Sequence, residues 1–176
     1  PVDVSQELAG FHDYRKNRGT CVLCDMVRQE TTRPDRVVME NDRFVCFSPF
    51  AARFPFEMWV VPKYHQPDFG QIGEEDIRDL APILRGALVK LAATVCQPPY
   101  NMVLHTAPVN VGGEIFYHWH FEILPRLTII AGYELGTGYY INPTPPELAA
   151  EVLREAGVPL PHQIPTPFAE EARRYV

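Results

Sequence analysis

Two short segments carry residue types that can do chemistry. The first is Cys21-x-x-Cys24 in "GTCVLCDMVRQETT". Two thiolates at this spacing can grip one tetrahedral Zn²⁺, and two more N or S ligands would complete its shell. The same pair also reads as two small apolar side chains at a helix start, or as a redox pair, although its flanks lack a thioredoxin-like context. The second segment is "FYHWHFEILPR", residues 116–126, where His118 and His120 stand two apart in an alternating apolar run. In a strand their rings project from one face. One could ligate a metal while the other acts as nucleophile or base. A neutral imidazole can attack phosphorus, and the phosphoramidate it forms is reactive. His65, His105, His118 and His120 are the candidates to complete a cysteine-based site. Just upstream, Gly112 and Gly113 in "GGEI" can offer backbone N–H groups to phosphate oxygens, although a Gly-Gly pair alone is usually just a tight turn.

These residues need elements to hold them. Helical spacing at Val4, Leu8 and Phe11 predicts a helix over 4–17, and the Gly19-Thr20 break puts the cysteines at a turn into a short second helix. "RVVMEN", "RFVCFSPF", "FEMWVVPKYH", "YNMVLHTAP" and "IFYHWHFEILPR" read as strands. Ile77, Leu80, Leu84, Leu88, Leu91 and Val95 recur at helical spacing in 74–95, behind an acidic first turn. Pro82 is expected to kink or divide that helix. "AGYELGTG" reads as a strand followed by a glycine-rich turn, and "PTPPELAAEVLREAG" restarts a helix. The Pro-rich stretch 158–176 reads as a surface tail. The expected class is α+β: one antiparallel meander with the 74–95 helix on one face. Arg53, Glu57 and Lys63 read as a solvated face, and Cys46 and Cys96 as buried thiols.

The chain has 176 residues, 46% hydrophobic and 22% charged, with a formal charge of −6. That size supports one domain with a real core, or half of a larger protein. The acidic balance excludes a basic nucleic-acid stripe, and no apolar run reaches membrane-spanning length. The first residue is Pro1 rather than Met, which suggests a chain processed or excised from something longer. Unpaired cysteine motifs without a secretory signal make the cytoplasm the default compartment.

"ENDRFVCFSPF", "WVVPKYH" and "HWHFEILPR" resemble the histidine-triad superfamily of nucleotidyl hydrolases and transferases. "CVLCDMV", "FAARFPFEMWVVPKYH", "PPYNMVLHTAP" and "HWHFEILPRLTIIAGYELGTGYYINPTPPELAAEVLRE" extend the resemblance to its galactose-1-phosphate uridylyltransferase branch. Over about 8–156, several separate motifs occur in order. The finer match is to the second half of such enzymes. The resemblance implies a histidine-triad-like domain over 1–157, an N-terminal partner half, a homodimer, and a role in galactose and carbohydrate metabolism. It also implies ping-pong transfer of a nucleoside monophosphate between a nucleotide sugar and a sugar phosphate or phosphate, through a nucleotidyl-histidine. Two rival readings stay open: a stand-alone histidine-triad nucleotide hydrolase or phosphorylase, and a non-catalytic zinc-stabilised sugar-nucleotide-binding or dimerisation module.

By the same resemblance, His120 takes the catalytic position. Cys21, Cys24, His65 and His118 form a closed zinc shell. The alternative is iron at His105, His118 and His120 with a carboxylate from the missing half. Tyr133 and Glu134 inherit contacts to sugar hydroxyls, and Gly112, Gly113 and Glu122 line the phosphate side. Two departures weigh against an efficient nucleophile. Glu122 is an anion where the family uses His or Gln, and Ile115 offers no hydroxyl. The family's working His-Pro-His segment is absent from this chain.

Overall fold

The computed structural model of the chain describes residues 2–109 and 116–157. Gly112, Gly113, Ile115 and the Pro-rich 158–176 stretch lie outside the described residues. Two helices open the chain, α1 (Val2–Arg18) and α2 (Val22–Thr32). Strands β1 (Val37–Glu40), β2 (Phe44–Phe47) and β3 (Met58–Pro62) follow. Then come helix α3 (Glu74–Thr94), β4 (Tyr100–His105), β5 (His120–Pro125), a six-residue helix α4 (Gly132–Thr137) and α5 (Pro146–Glu155).

The expected α+β class holds. Five strands form one sheet in the order β1-β2-β3-β5-β4, and every neighbour pair is antiparallel. "FVCF" in β2 is buried at all four positions, because helices cover both faces of the sheet. Phe44 and Cys46 pack with Leu80, Ile83 and Leu91 of α3 and Leu153 of α5. Val45 and Phe47 pack with Phe11 of α1 and Leu23 and Val27 of α2. A strand covered on both sides reads as a continuous apolar run, not as alternation. Each fully buried large side chain, such as Phe44 or Trp119, contributes about 1.5–3 kcal/mol. Among the described residues no helix is long and apolar enough to cross a membrane.

Four local expectations need correction. Pro82 does not divide α3, which runs continuously through it; it is exposed, so the carbonyl it leaves unpaired can face water. β5 begins at His120, not at residue 116. Its partner β4 ends at His105, which pairs with His120, and the Trp119 N–H is instead donated to the Gln66 carbonyl at 3.0 Å. "AGYELGTG" is helical, closed by Gly138 in the left-handed region at φ 75°. Cys96 is exposed beyond the end of α3, while Cys46 is buried as expected.

Candidate functional site: a thiol–imidazole clasp and a histidine–carboxylate cluster

Gly19, at φ 74°, ends α1 in a conformation that glycine adopts without strain. Two residues later Cys21 is the N-cap of α2, which leaves Cys24 in that helix's first turn. From there both sulfurs reach the sheet. Cys21 Sγ lies 3.7 Å from His118 Nδ1. Cys24 Sγ lies 3.5 Å from His118 Nδ1 and 3.5 Å from His65 Nδ1. All four ligand atoms fall within 4.8 Å of one another. A tetrahedral ion bonded at about 2.3 Å to sulfur and 2.0–2.1 Å to nitrogen sets neighbouring S and N about 3.6 Å apart. The spacing therefore fits a metal ion. The tautomer fits too: His118 Nε2 donates to the Pro62 carbonyl at 3.1 Å, which turns the Nδ1 lone pair toward the sulfurs. A hydrogen bond from Cys24 outweighs burial and holds the Cys21 thiol well below its usual range. The helix N-terminus also favours a thiolate there.

The second cluster lies beside the first. His120 is 2% exposed, and its Nδ1 donates to the His118 carbonyl at 3.2 Å. Its Nε2 faces Glu7 Oε1 at 3.8 Å. Its ring stacks on His105, with centroids 4.6 Å apart and 9° between planes, and packs against Trp59 at 5.0 Å. Glu7 Oε2 accepts from Tyr117 Oη at 2.8 Å and from His105 Nδ1 at 3.0 Å. His105 Nε2 sits 3.4 Å from Glu122 Oε2, and Glu122 also accepts from Arg53. Burial opposes the charge on His105, but Glu122 and Glu7 outweigh it and raise its pKa to about 9. Burial, together with the neighbouring His105 charge, pushes His120 down to about 4. Burial works against ionisation of Glu7 and Glu122, yet His105 holds both carboxyls below their usual range, with help from Tyr117 on Glu7 and from Arg53 on Glu122.

This pattern predicts a pH window. His105 titrates above its ordinary value, so its contribution is complete below about 6.5 and is lost as pH rises through about 9. The rise corresponds to at most about 3 kcal/mol. Glu7 and Glu122 titrate below their ordinary value, so their contribution is present above about 4.5 and is lost as pH falls. Urea midpoints should be highest between these limits and drop from pH 6 to pH 9.5. His105→Gln should flatten the alkaline limb; an unchanged limb would remove His105 as its cause.

Several expected residues appear in altered settings. The alternative iron set is not assembled as expected: His118 has committed both ring nitrogens, one to Pro62 and one to the sulfurs. The second metal-capable group is instead Glu7, His105 and His120, and its carboxylate comes from α1 of this chain. Glu122 is no bare anion, because Arg53 and His105 neutralise it. Glu57 is 1% exposed, contrary to a solvated face. Its Oε2 accepts from the Arg53 and Phe54 N–H groups at 2.7 and 3.1 Å, and Oε1 accepts from Trp59 Nε1 at 2.9 Å. Lys63 pairs with Glu40 at 2.7 Å. Glu134 Oε2 accepts from the Ala131 N–H and Oε1 from the Ile141 N–H, which lowers its pKa; Tyr133 beside it is exposed. Glu7, Arg53 and Tyr117 are the participants that sequence reading missed.

The family described as galactose-1-phosphate uridyl transferase, C-terminal domain, matches residues 7–163. The ADP-glucose phosphorylase of Arabidopsis thaliana is 39% identical over 160 residues, which cover 90% of this chain and 44% of that protein. The solved structure of an Arabidopsis thaliana ADP-glucose phosphorylase with bound ADP-glucose superposes with a TM-score of 0.80 at 38% identity. It covers 89% of this chain and 50% of that one. A zinc-bound histidine-triad family protein of Mycobacterium smegmatis shares the fold, at a TM-score of 0.54 and 20% identity, covering 77% of this chain and 91% of that one. The chain thus spans less than half the length of the plant relative.

Proposed function

The chain belongs to the galactose-1-phosphate uridyl transferase family, by its C-terminal domain, and we propose that it is one half of a nucleotidyltransferase. The complete enzyme moves a nucleoside monophosphate between a nucleotide sugar and a sugar phosphate, or phosphate itself. The plant relative's name, ADP-glucose phosphorylase, supports phosphate as acceptor and an adenine nucleotide sugar as donor. In this reading the half supplies a metal-clasped scaffold and recognition surfaces, and the nucleotidyl-histidine forms on the N-terminal half.

One observation carries the division of labour. The nitrogen of His120 that would attack phosphorus faces the Glu7 carboxylate at 3.8 Å, not a hydrogen-bond donor. A phosphate arriving there meets negative charge, and no described cation other than the already paired His105 and Arg53 flanks it.

Zinc is the ion we assign to Cys21, Cys24, His65 and His118. Two thiolates and two imidazoles suit it, and four protein ligands leave no position for substrate, so the site is structural. The ion would tie the first turn of α2 to the sheet. β4 is an edge strand with Tyr100, Met102 and Val103 exposed, and 127–141 exposes Ile129, Leu135 and Tyr139. Unpaired edge groups and apolar side chains of this kind suit a partner half and a second subunit. Tyr133 remains available for a sugar on that side. Glu134 can serve only through lone pairs its two backbone bonds leave free.

The test is a single-turnover assay of this chain with radiolabelled UDP-sugar and ADP-sugar. Label should form on the protein very slowly or not at all. A fast, base-stable and acid-labile label that disappears in His120→Asn would instead make this half a stand-alone enzyme.

A further inference from the structure

The residues of the clasp differ in how firmly the fold holds them. Cys21 is buried at the N-cap of α2. His118 is buried as well, and its Nε2 is tied to the Pro62 carbonyl. His65 is exposed and stands in a loop just beyond the end of β3. Yet its Nδ1 lies 3.5 Å from Cys24 Sγ, and its ring meets that of His118 edge-on, with centroids 5.3 Å apart and 87° between planes. An exposed loop side chain has freedom to lose when it takes hold of an ion. Such a ligand is loose unless neighbouring groups fix the chain that carries it.

The next residue supplies that support. Gln66 bonds twice to Trp119, the residue after His118. Its carbonyl accepts from the Trp119 backbone N–H at 3.0 Å, and its Oε1 accepts from the indole Nε1 at 2.9 Å. Its Nε2 donates to the Gln71 carbonyl at 3.1 Å, which ties the far side of the loop. The indole is a firm anchor. Trp119 is 0% exposed and packs against Phe69 at 5.1 Å and Phe44 at 5.8 Å between centroids. Upstream, the Lys63 N–H donates to the Arg43 carbonyl at 2.8 Å, so the loop is pinned on both sides of His65.

A buried indole N–H needs an acceptor, and any oxygen would meet that need. Particular to this fold is the pairing: each of the two bonded residues directly follows a histidine of the clasp. A double bond of this kind between 66 and 119 holds 65 and 118 at a set separation. The pairing of β3 with β5 does not reach them, because it ends at Val60 and Phe121, short of both histidines.

We propose that Gln66 is a positioning residue for the metal site: by bonding Trp119 through both its carbonyl and its amide oxygen, it holds His65 where His118 and Cys24 can share an ion with it. The inference rests on the assignment of zinc to Cys21, Cys24, His65 and His118. Gln66 touches no ion itself. It acts through His65, as groups behind metal-binding imidazoles do when they fix the ring before the ion arrives.

A double-mutant cycle on metal affinity tests it. Zinc dissociation constants are measured on the full chain by competition with a chromophoric chelator, for the parent, Gln66→Met, His65→Ala and the double variant. The visible absorption of each cobalt-loaded chain is recorded alongside. Gln66→Met keeps the length of the side chain and removes its oxygen. It should weaken zinc binding by about 10–100-fold and move the cobalt spectrum toward that of His65→Ala. In the His65→Ala background the same substitution should change affinity by less than about twofold, the usual error of additivity. A Gln66→Met chain with the parent's affinity and cobalt spectrum would overturn the positioning role and leave the zinc assignment standing. An equal loss with and without His65 would also overturn it, because Gln66 would then support the fold at large. A parent chain that takes up neither zinc nor cobalt would overturn both.

Discussion

Cys24→Ser, or removal of metal by a chelator, is expected to cost the domain at least about 5 kcal/mol, most of a typical domain's stability. The serine hydroxyl is a poor zinc ligand, and three ligands without the fourth leave a buried thiol and imidazole with no common partner. Losing the ion also frees α2, because the clasp joins its first turn to His65, just beyond β3, and to His118, just before β5. Purified protein should carry about one zinc per chain, the count for a closed four-ligand site. Urea unfolding before and after chelation, with metal analysis on the same sample, reads both quantities. An unchanged midpoint without metal, or a Cys21–Cys24 disulfide in the native protein, would remove the structural zinc. Cys46→Ser serves as the control. It tests a buried thiol of the core cluster that packs on α3, not the cluster that holds Cys21, and its effect should not depend on chelator.

Glu57→Ala is expected to destabilise by about 3–5 kcal/mol. The side chain is buried, and its carboxylate is the shared acceptor for Arg53 N–H, Phe54 N–H and Trp59 Nε1. Burial raises its pKa, with the Glu122 charge adding to the rise, and the Trp59 bond and the Arg53 charge work against it. Removing it strands three donors at once and loosens the Trp59 indole that packs on His120. Near-ultraviolet circular dichroism should therefore change together with the unfolding midpoint. Glu57→Gln keeps an acceptor oxygen and should lose about half as much. A Glu57→Ala protein as stable as the parent would show that the 53–57 loop is held by something other than this carboxylate.

Much of this architecture was legible in the residues. The strands announced themselves by β-branched and aromatic runs, and α3 by its apolar stripe. The two thiols of the clasp were legible in the Cys-x-x-Cys spacing, whereas His65 and His118 were picked out from four candidate histidines only by the family resemblance. What escaped had physical reasons. Glu7 looks like any carboxylate on an exposed helix face, and only the docking of α1 on the sheet carries it to His105 and His120. Glu57 read as a solvated charge in an apolar strand, because nothing local reveals that two backbone N–H groups and an indole turn inward to meet it. The start of β5 was misplaced because alternation continues back through His118, whereas hydrogen bonding requires a partner and β4 stops at His105. Glycine-rich "AGYELGTG" became a helix because the Glu134 carboxylate accepts from the Ala131 N–H and caps its first turn.

The clasp also has a consequence for synthesis. Cys24 and His118 are separated by 94 residues, and Cys21 and His118 by 97. At translation speeds of about 5–20 residues per second, the two thiols leave the ribosome roughly 5–20 s before the imidazole that completes their shell. During that interval they are free to oxidise or to capture the wrong ion, and closing so long a loop is entropically unfavourable until β3 and β5 have paired. An ion held by these four residues would therefore enter late, as the latch on a sheet already assembled. Cells starved of zinc or under oxidative load should accumulate this chain with its sheet formed and its first two helices undocked.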